Sequence, residues 1–208
     1  WADDTTRAYG SISARGAGTG AGGHIETSGK RYLDVNGIRI DAGAASGRSG
    51  EWLLDPDQIT IVSGSSGLDS NVTSVTPFQA VSSAATSTLS SATLNSAINA
   101  GGLVIISTSG GPGPGNGDIT FDASGGAIVI DKTSNVASST LRLDAWRNIN
   151  FTGGPTTFRT SAGAGTQPLT VILNTDLSGG GGNVFSGPAA TVNVNGTSTS
   201  QVVAVVGN

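Results

Sequence analysis

The sequence predicts an all-β chain, stacked as a β-solenoid with one short flanking helix near residues 91–99. Three observations carry this. Short runs with apolar residues at period two recur along most of the 208 residues, as in Ile119/Phe121, Ile128/Ile130 and Leu141/Leu143. Such alternation gives a strand one buried and one wet face. Asn-Gly and Asp-Gly pairs, which close two-residue hairpins, are nearly missing between these runs. The links look instead like corners, with Gly or Asn where the chain turns. Finally, aromatic residues make up 5% of the chain and charged residues 12%, which suits the narrow interior of a stacked coil better than a sandwich core.

Taken in order, the strand-like runs are "GSISARG" (10–16), "GHIETSG" (23–29), "GDITFDASG" (117–125), "GAIVIDK" (126–132), "STLRLDAW" (139–146), "RNINFTGG" (147–154), "PLTVILNTD" (168–176), "ATVNVNGTS" (190–198) and "QVVAVVG" (201–207). Residues 63–91, rich in Ser and Thr, break the rhythm and read as a loop excursion outside the coil. In "SATLNSAINAGG", Leu94, Ala97 and Ile98 have the i, i+3, i+4 spacing of a helix. Ser91 is placed to cap its start, and Gly101 or Gly102 to end it. The glycine-rich stretches 109–117 and 178–183 are loop tips, because strand patterning resumes on each side. The whole chain, 1–208, is thus one solenoid segment.

Composition narrows the function. The net charge is −4 and the pI about 4.7, with no cluster of Lys or Arg, which argues against nucleic acid and anionic membrane surfaces as partners. No apolar run approaches the ~20 residues of a membrane-spanning helix. There is no cysteine, hence no disulfide and no thiolate metal site. With Trp1 first and no methionine, the chain reads as a piece whose targeting signal lies elsewhere.

Residues 10–61 contain, in order, I-x-A-R-G, G-G-x-I-E-T-S-G and W-L-L-D-P-x-x-I-T-I. This series resembles the filamentous-haemagglutinin-like exoproteins, adhesins of two-partner secretion, in the region downstream of their secretion domain. A looser likeness runs from Leu94 to about residue 175. The resemblance implies a right-handed parallel β-helix, secreted or at the cell surface of a Gram-negative bacterium, doing structural or adhesive work toward a host or matrix receptor. It brings no catalytic motif.

The residues themselves weigh against chemistry. In Asp55-Pro56-Asp57 the proline presets φ for a turn, and Asp55 is favoured just before it. Trp52 and Leu54 share one strand face, and Ile59 and Ile61 another. Trp52, Asp55, Pro56 and Asp57 therefore read as a structural corner, because a calcium site needs 6–8 oxygen ligands. His24, the only histidine, lies opposite Ile25 on a wet face, and a triad or a two-histidine metal site would rest on it alone. Glu26 reads as a corner residue bonding backbone amides. Arg31-Tyr32 and Trp146-Arg147 suit the covering of flanks better than sugar stacking. Asn71, Asn150 and Asn195 stand in the Asn-x-Thr pattern and are candidate N-glycan acceptors. No cofactor is expected.

The function expected is a non-enzymatic structural or adhesive segment of a bacterial surface fibre. Two alternatives stand beside it: a subunit of a head-to-tail solenoid filament, and a polysaccharide-binding or polysaccharide-cleaving β-helix. The valine-rich 202–206 and the strand-like opening leave both ends without polar caps, which implies self-association through open ends or continuation into a longer chain.

Overall fold

Alternation becomes strand wherever β-branched and aliphatic side chains take every second position, because these fit a pleated, half-buried surface. The computed structural model describes residues 2–65, 86–108, 116–134, 136–161 and 167–195. Among them the chain forms seventeen strands and one helix. Every strand pairing is parallel.

The strands fall into three columns. One runs through β3 (His24–Thr27), β6 (Glu51–Leu54), β9 (Gly102–Ser107), β12 (Ser139–Asp144) and β15 (Leu169–Asn174). A second holds β1 (Thr5–Arg7) and β4 (Tyr32–Asp34), then β8 (Ser87–Ser90), β7 (Ile59–Val62), β10 (Ile119–Asp122), β13 (Ile149–Thr152) and β16 (Val184–Ser186). The step from β4 to β8 rests on packing and on the Leu33 N–H, which donates to Ser87 Oγ at 2.9 Å. The third holds β2 (Ser11–Ser13) and β5 (Arg39–Asp41), then β11 (Ile128–Lys132), β14 (Pro155–Thr160) and β17 (Thr191–Asn195).

Register aligns like with like. In the first column Ile25, Trp52, Val104, Leu141 and Val171 lie opposite one another in turn, all buried. In the second, Leu89, Ile61, Phe121 and Phe151 do the same. Phe121 and Phe151 stack with ring centroids 5.1 Å apart, and Phe158 meets Phe121 edge-on at 5.6 Å. Each such contact adds about 0.5–1.5 kcal/mol beyond its buried area.

Outside the core, Asx side chains and ion pairs tie one layer to the next. Asp118 Oδ1 accepts from the Asn148 N–H at 3.1 Å, and Asn148 Oδ1 from the Asn183 N–H at 3.0 Å. Arg15–Asp41, Arg147–Asp118 and Arg159–Asp131 pair at 2.6–2.7 Å, each across one layer.

The helix α1 spans Ser91–Ala100 and buries Leu94, Ala97 and Ile98 as the spacing predicts. Its cap is Ser90, one residue before the expected Ser91: the extended Ser90 accepts from the Thr93 N–H at 3.1 Å. Gly101 ends it at φ 89°, donating to the Ile98 carbonyl. Its position differs from the expected flank. It packs against β5 on one side and β11 on the other, so it takes a strand's place in the third column. Asn95 and Asn99 make this workable. Asn95 Oδ1 accepts from the Asp131 N–H at 2.7 Å and its amide donates to the Val129 carbonyl at 2.8 Å. Asn99 serves the Thr133 and Ser134 N–H groups and the Asp131 carbonyl in the same way.

The expected excursion 63–91 has a strand within it. Its last residues form β8, which seats Leu89 in the core on the near side of β7, beside β4; residues 66–85 lie outside the described set. The interior between the columns is not wholly aliphatic either. Lys132, at the inward position after Ile128 and Ile130, is fully buried, and its Nζ donates to the Ile98 carbonyl at 3.2 Å and Ser134 Oγ at 2.7 Å.

Candidate functional site

A groove of about 590 Å³ crosses the starts of β3, β6, β9 and β12. Glycines make it. Gly23 and Gly50 each precede a strand of the first column and Gly102 opens β9, and the layers close up on them. A Cβ on Gly50 would lie 1.9 Å from the Gly23 carbonyl oxygen, and one on Gly102, at φ +104°, 2.5 Å from that of Gly50. No larger residue fits without moving backbone, so the floor carries no side chains at these points.

On the walls stand His24, Arg48, Glu51, Leu103, Ser138 and Thr140. His24 Nδ1 lies 2.6 Å from Glu51 Oε1. A carboxylate only accepts, so Nδ1 carries the hydrogen, and in the neutral ring Nε2 is left as an acceptor. Nε2 in turn sits 3.9 Å from Glu26 Oε2. Glu26 is therefore an exposed strand residue beside the histidine and not the corner residue expected. The ring's outward nitrogen faces a carboxylate and not a hydroxyl, so this pair lacks the nucleophile–base contact of a hydrolytic triad. Among the described residues no group of three or more His, Asp or Glu side chains is arranged to hold a metal ion.

The other carboxylates are mostly committed to structure. Asp41 has its pKa lowered: burial works against ionisation but is outweighed by the Arg15 guanidinium and the Gly43 N–H. Asp118 and Asp131 hold Arg147 and Arg159. Asp176, in a loop with φ +64°, has its pKa lowered chiefly by the Gly181 N–H. Tyr9 donates to Asp34 at 2.6 Å, and desolvation with that bond pushes its pKa up to about 12.

The residues singled out from sequence are placed as follows. Residues 55–58 join β6 to β7, with Trp52, Pro56 and Asp57 buried. Trp52 Nε1 donates to Thr27 Oγ1 at 3.0 Å, and the Asp57 N–H to the Lys30 carbonyl at 3.0 Å. The stretch is not part of the groove. Tyr32 is a core residue, and Trp146 packs over Gly117. Asn150 is half-buried on β13, its amide 3.4 Å from Thr120 Oγ1. Asn195 ends β17 opposite Arg159, while Asn71 falls outside the described residues. Sequence reading missed the groove as a unit, although its signal is present in "GGHI", "SGEW" and "GGLV", where glycine precedes a strand each time.

No family model matches the chain, and neither a curated protein nor a solved structure matches it. Among the described residues no helix is long and apolar enough to cross a membrane.

Proposed function

We propose that the chain is a segment of a right-handed parallel β-helix with structural and adhesive, non-enzymatic work in an exported, filamentous-haemagglutinin-like bacterial surface protein. The observation that carries the reading is the column register. Ile119 faces Ile149 and Leu141 faces Val171, each pair 30 residues apart and parallel. Parallel strands joined by crossovers wind right-handed almost without exception. A stack tied on its outside by Arg–Asp pairs and Asx bonds supports a stiff spacer whose faces are free to display contacts. The engagement of Asp41, Asp118 and Asp131 in those ties favours structure over hydrolysis.

Two measurements test it. Beads coated with the purified chain are expected to adhere to epithelial cells or to extracellular-matrix proteins above uncoated beads, and equal adhesion defeats the adhesive half. Incubation with neutral and acidic polysaccharides in the presence of Ca²⁺ is expected to release no new reducing ends and no unsaturated products. Their appearance would establish the polysaccharide-cleaving alternative instead.

A further inference from the structure

We infer that the glycine-floored groove binds an extended, neutral oligosaccharide laid across the layers; this deepens the adhesive reading above and rests on it. The floor first decides against a peptide. The N–H groups of Gly22, Gly23, Gly50 and Gly102 are already donated to the carbonyls of Arg48, Ala14, Ala42 and Ser138, at 2.7–3.1 Å. A peptide strand added here would find no backbone donor on these glycines, so recognition falls to side chains.

Those side chains suit hydroxyl groups. Glu51 accepts, the outward His24 Nε2 accepts in the neutral ring and donates in the charged one, Arg48 donates, and the hydroxyls of Ser138 and Thr140 do both. A sugar hydroxyl is itself donor and acceptor, and a row of them meets such a mixture without leaving a group unpaired. Arg48 is exposed and takes no part in the ion pairs that occupy Arg15, Arg31, Arg142, Arg147 and Arg159 among the described residues. It is therefore available to a ligand.

Charge sets the class. Glu51 lines the groove, and Glu26, outside its lining, lies 3.9 Å from His24 Nε2; these two carboxylates beside one guanidinium disfavour a uronate or sulfate chain. Shape sets the length. Four strand starts, at ~4.8 Å per strand, give a trough about 14 Å long, which holds a short run of sugar rings. The bare glycine backbone and the half-buried Leu103 offer a flat surface to the C–H faces of those rings. Among the described residues no Phe, Tyr or Trp lines the groove, so the affinity expected is modest, with dissociation constants from about tens of micromolar to millimolar.

The test uses the whole chain and defined probes: hexasaccharides of β1,4-glucose, β1,4-N-acetylglucosamine, β1,4-mannose, β1,4-galactose and α1,4-glucose, with hexagalacturonate and a heparin hexasaccharide as anionic arms. Binding is read by saturation-transfer NMR and by amide shifts of residues 22–24 and 48–51. At least one neutral hexasaccharide is expected to bind saturably with shifts confined to the groove. Glu51→Ala is expected to weaken that binding at least tenfold, and Ala137→Trp, which fills the trough, to abolish it. Arg159→Ala on another column leaves it unchanged. Circular dichroism and the thermal midpoint confirm that each variant folds. Binding by none of the neutral probes, binding by the anionic ones alone, or binding indifferent to both groove variants overturns the inference. If bead adhesion persists without sugar binding, the groove assignment alone fails; if sugars bind but beads do not adhere, the adhesive reading alone fails.

Discussion

The first and third columns solve one problem by different means. In the first, β3, β6, β9, β12 and β15 follow one another and each edge between neighbouring strands meets another backbone. In the third, the stack is interrupted between β5 and β11, and a helix fills the place. A helix spends the N–H and C=O groups of its middle turns internally and offers a neighbouring strand no backbone row to pair with. Asn95 and Asn99, one helical turn apart, supply the missing groups from their side chains. What a layer requires of its neighbour is therefore a donor–acceptor row at the right height together with an apolar inner face. The identity of the element that delivers them is secondary.

If that comparison holds, the two columns fail differently when cut. Leu54→Ala opens a cavity in the regular column, where Leu54 is fully buried, and is expected to cost the most, about 2–5 kcal/mol of unfolding free energy in urea titration. Asn99→Leu keeps the bulk at the helix but strips three backbone groups of β11 and its following turn of their partner. A loss of about 2–3 kcal/mol is expected. A loss under 0.5 kcal/mol would mean that water replaces the asparagine freely, and that the helix only fills space.

The smallest effect is expected at Lys132, where the third column buries a cation that the first does not. Burial lowers its pKa from 10.5 to about 8. Between about pH 8 and 10.5 the unfolded chain then holds a proton that the folded chain has released. Stability rises with pH through that window, and the full cost of burying the ammonium is felt below it. Lys132→Met removes this slope. Because Ser139 Oγ and the Gly101 N–H also serve the Ile98 carbonyl, the variant is expected to match the parent at pH 7 or exceed it by about 1 kcal/mol. Parallel pH–stability curves for the two proteins would refute the assignment.

Much of this architecture is legible in the sequence. Ile119/Phe121 and Leu141/Leu143 announce their strands because period two directly encodes a buried face, and Leu94, Ala97 and Ile98 announce the helix in the same way. What is not legible depends on vertical order. Nothing local in "STLS" says that β8 sits beside β4, and nothing in "IVIDK" says that its inward lysine meets a helix end. Both facts are set by which layer lies above or below. The groove escaped for the same reason: His24 and Glu51 are each unremarkable on a wet face, and only register puts them 2.6 Å apart.

The place of β8 bears on the order in which the molecule can assemble. If the chain simply wound forward, each new strand would land on a finished edge, and a growing polypeptide could fold as it lengthened. Here β7 precedes β8 in the chain, yet β8 lies between β7 and β4. The second column cannot close on β7 until residues 87–90 have arrived to fill the gap. The Ser87 hydroxyl that meets the Leu33 N–H then joins parts 54 residues apart, so the early layers reach their final contacts only after a later part of the chain has been made.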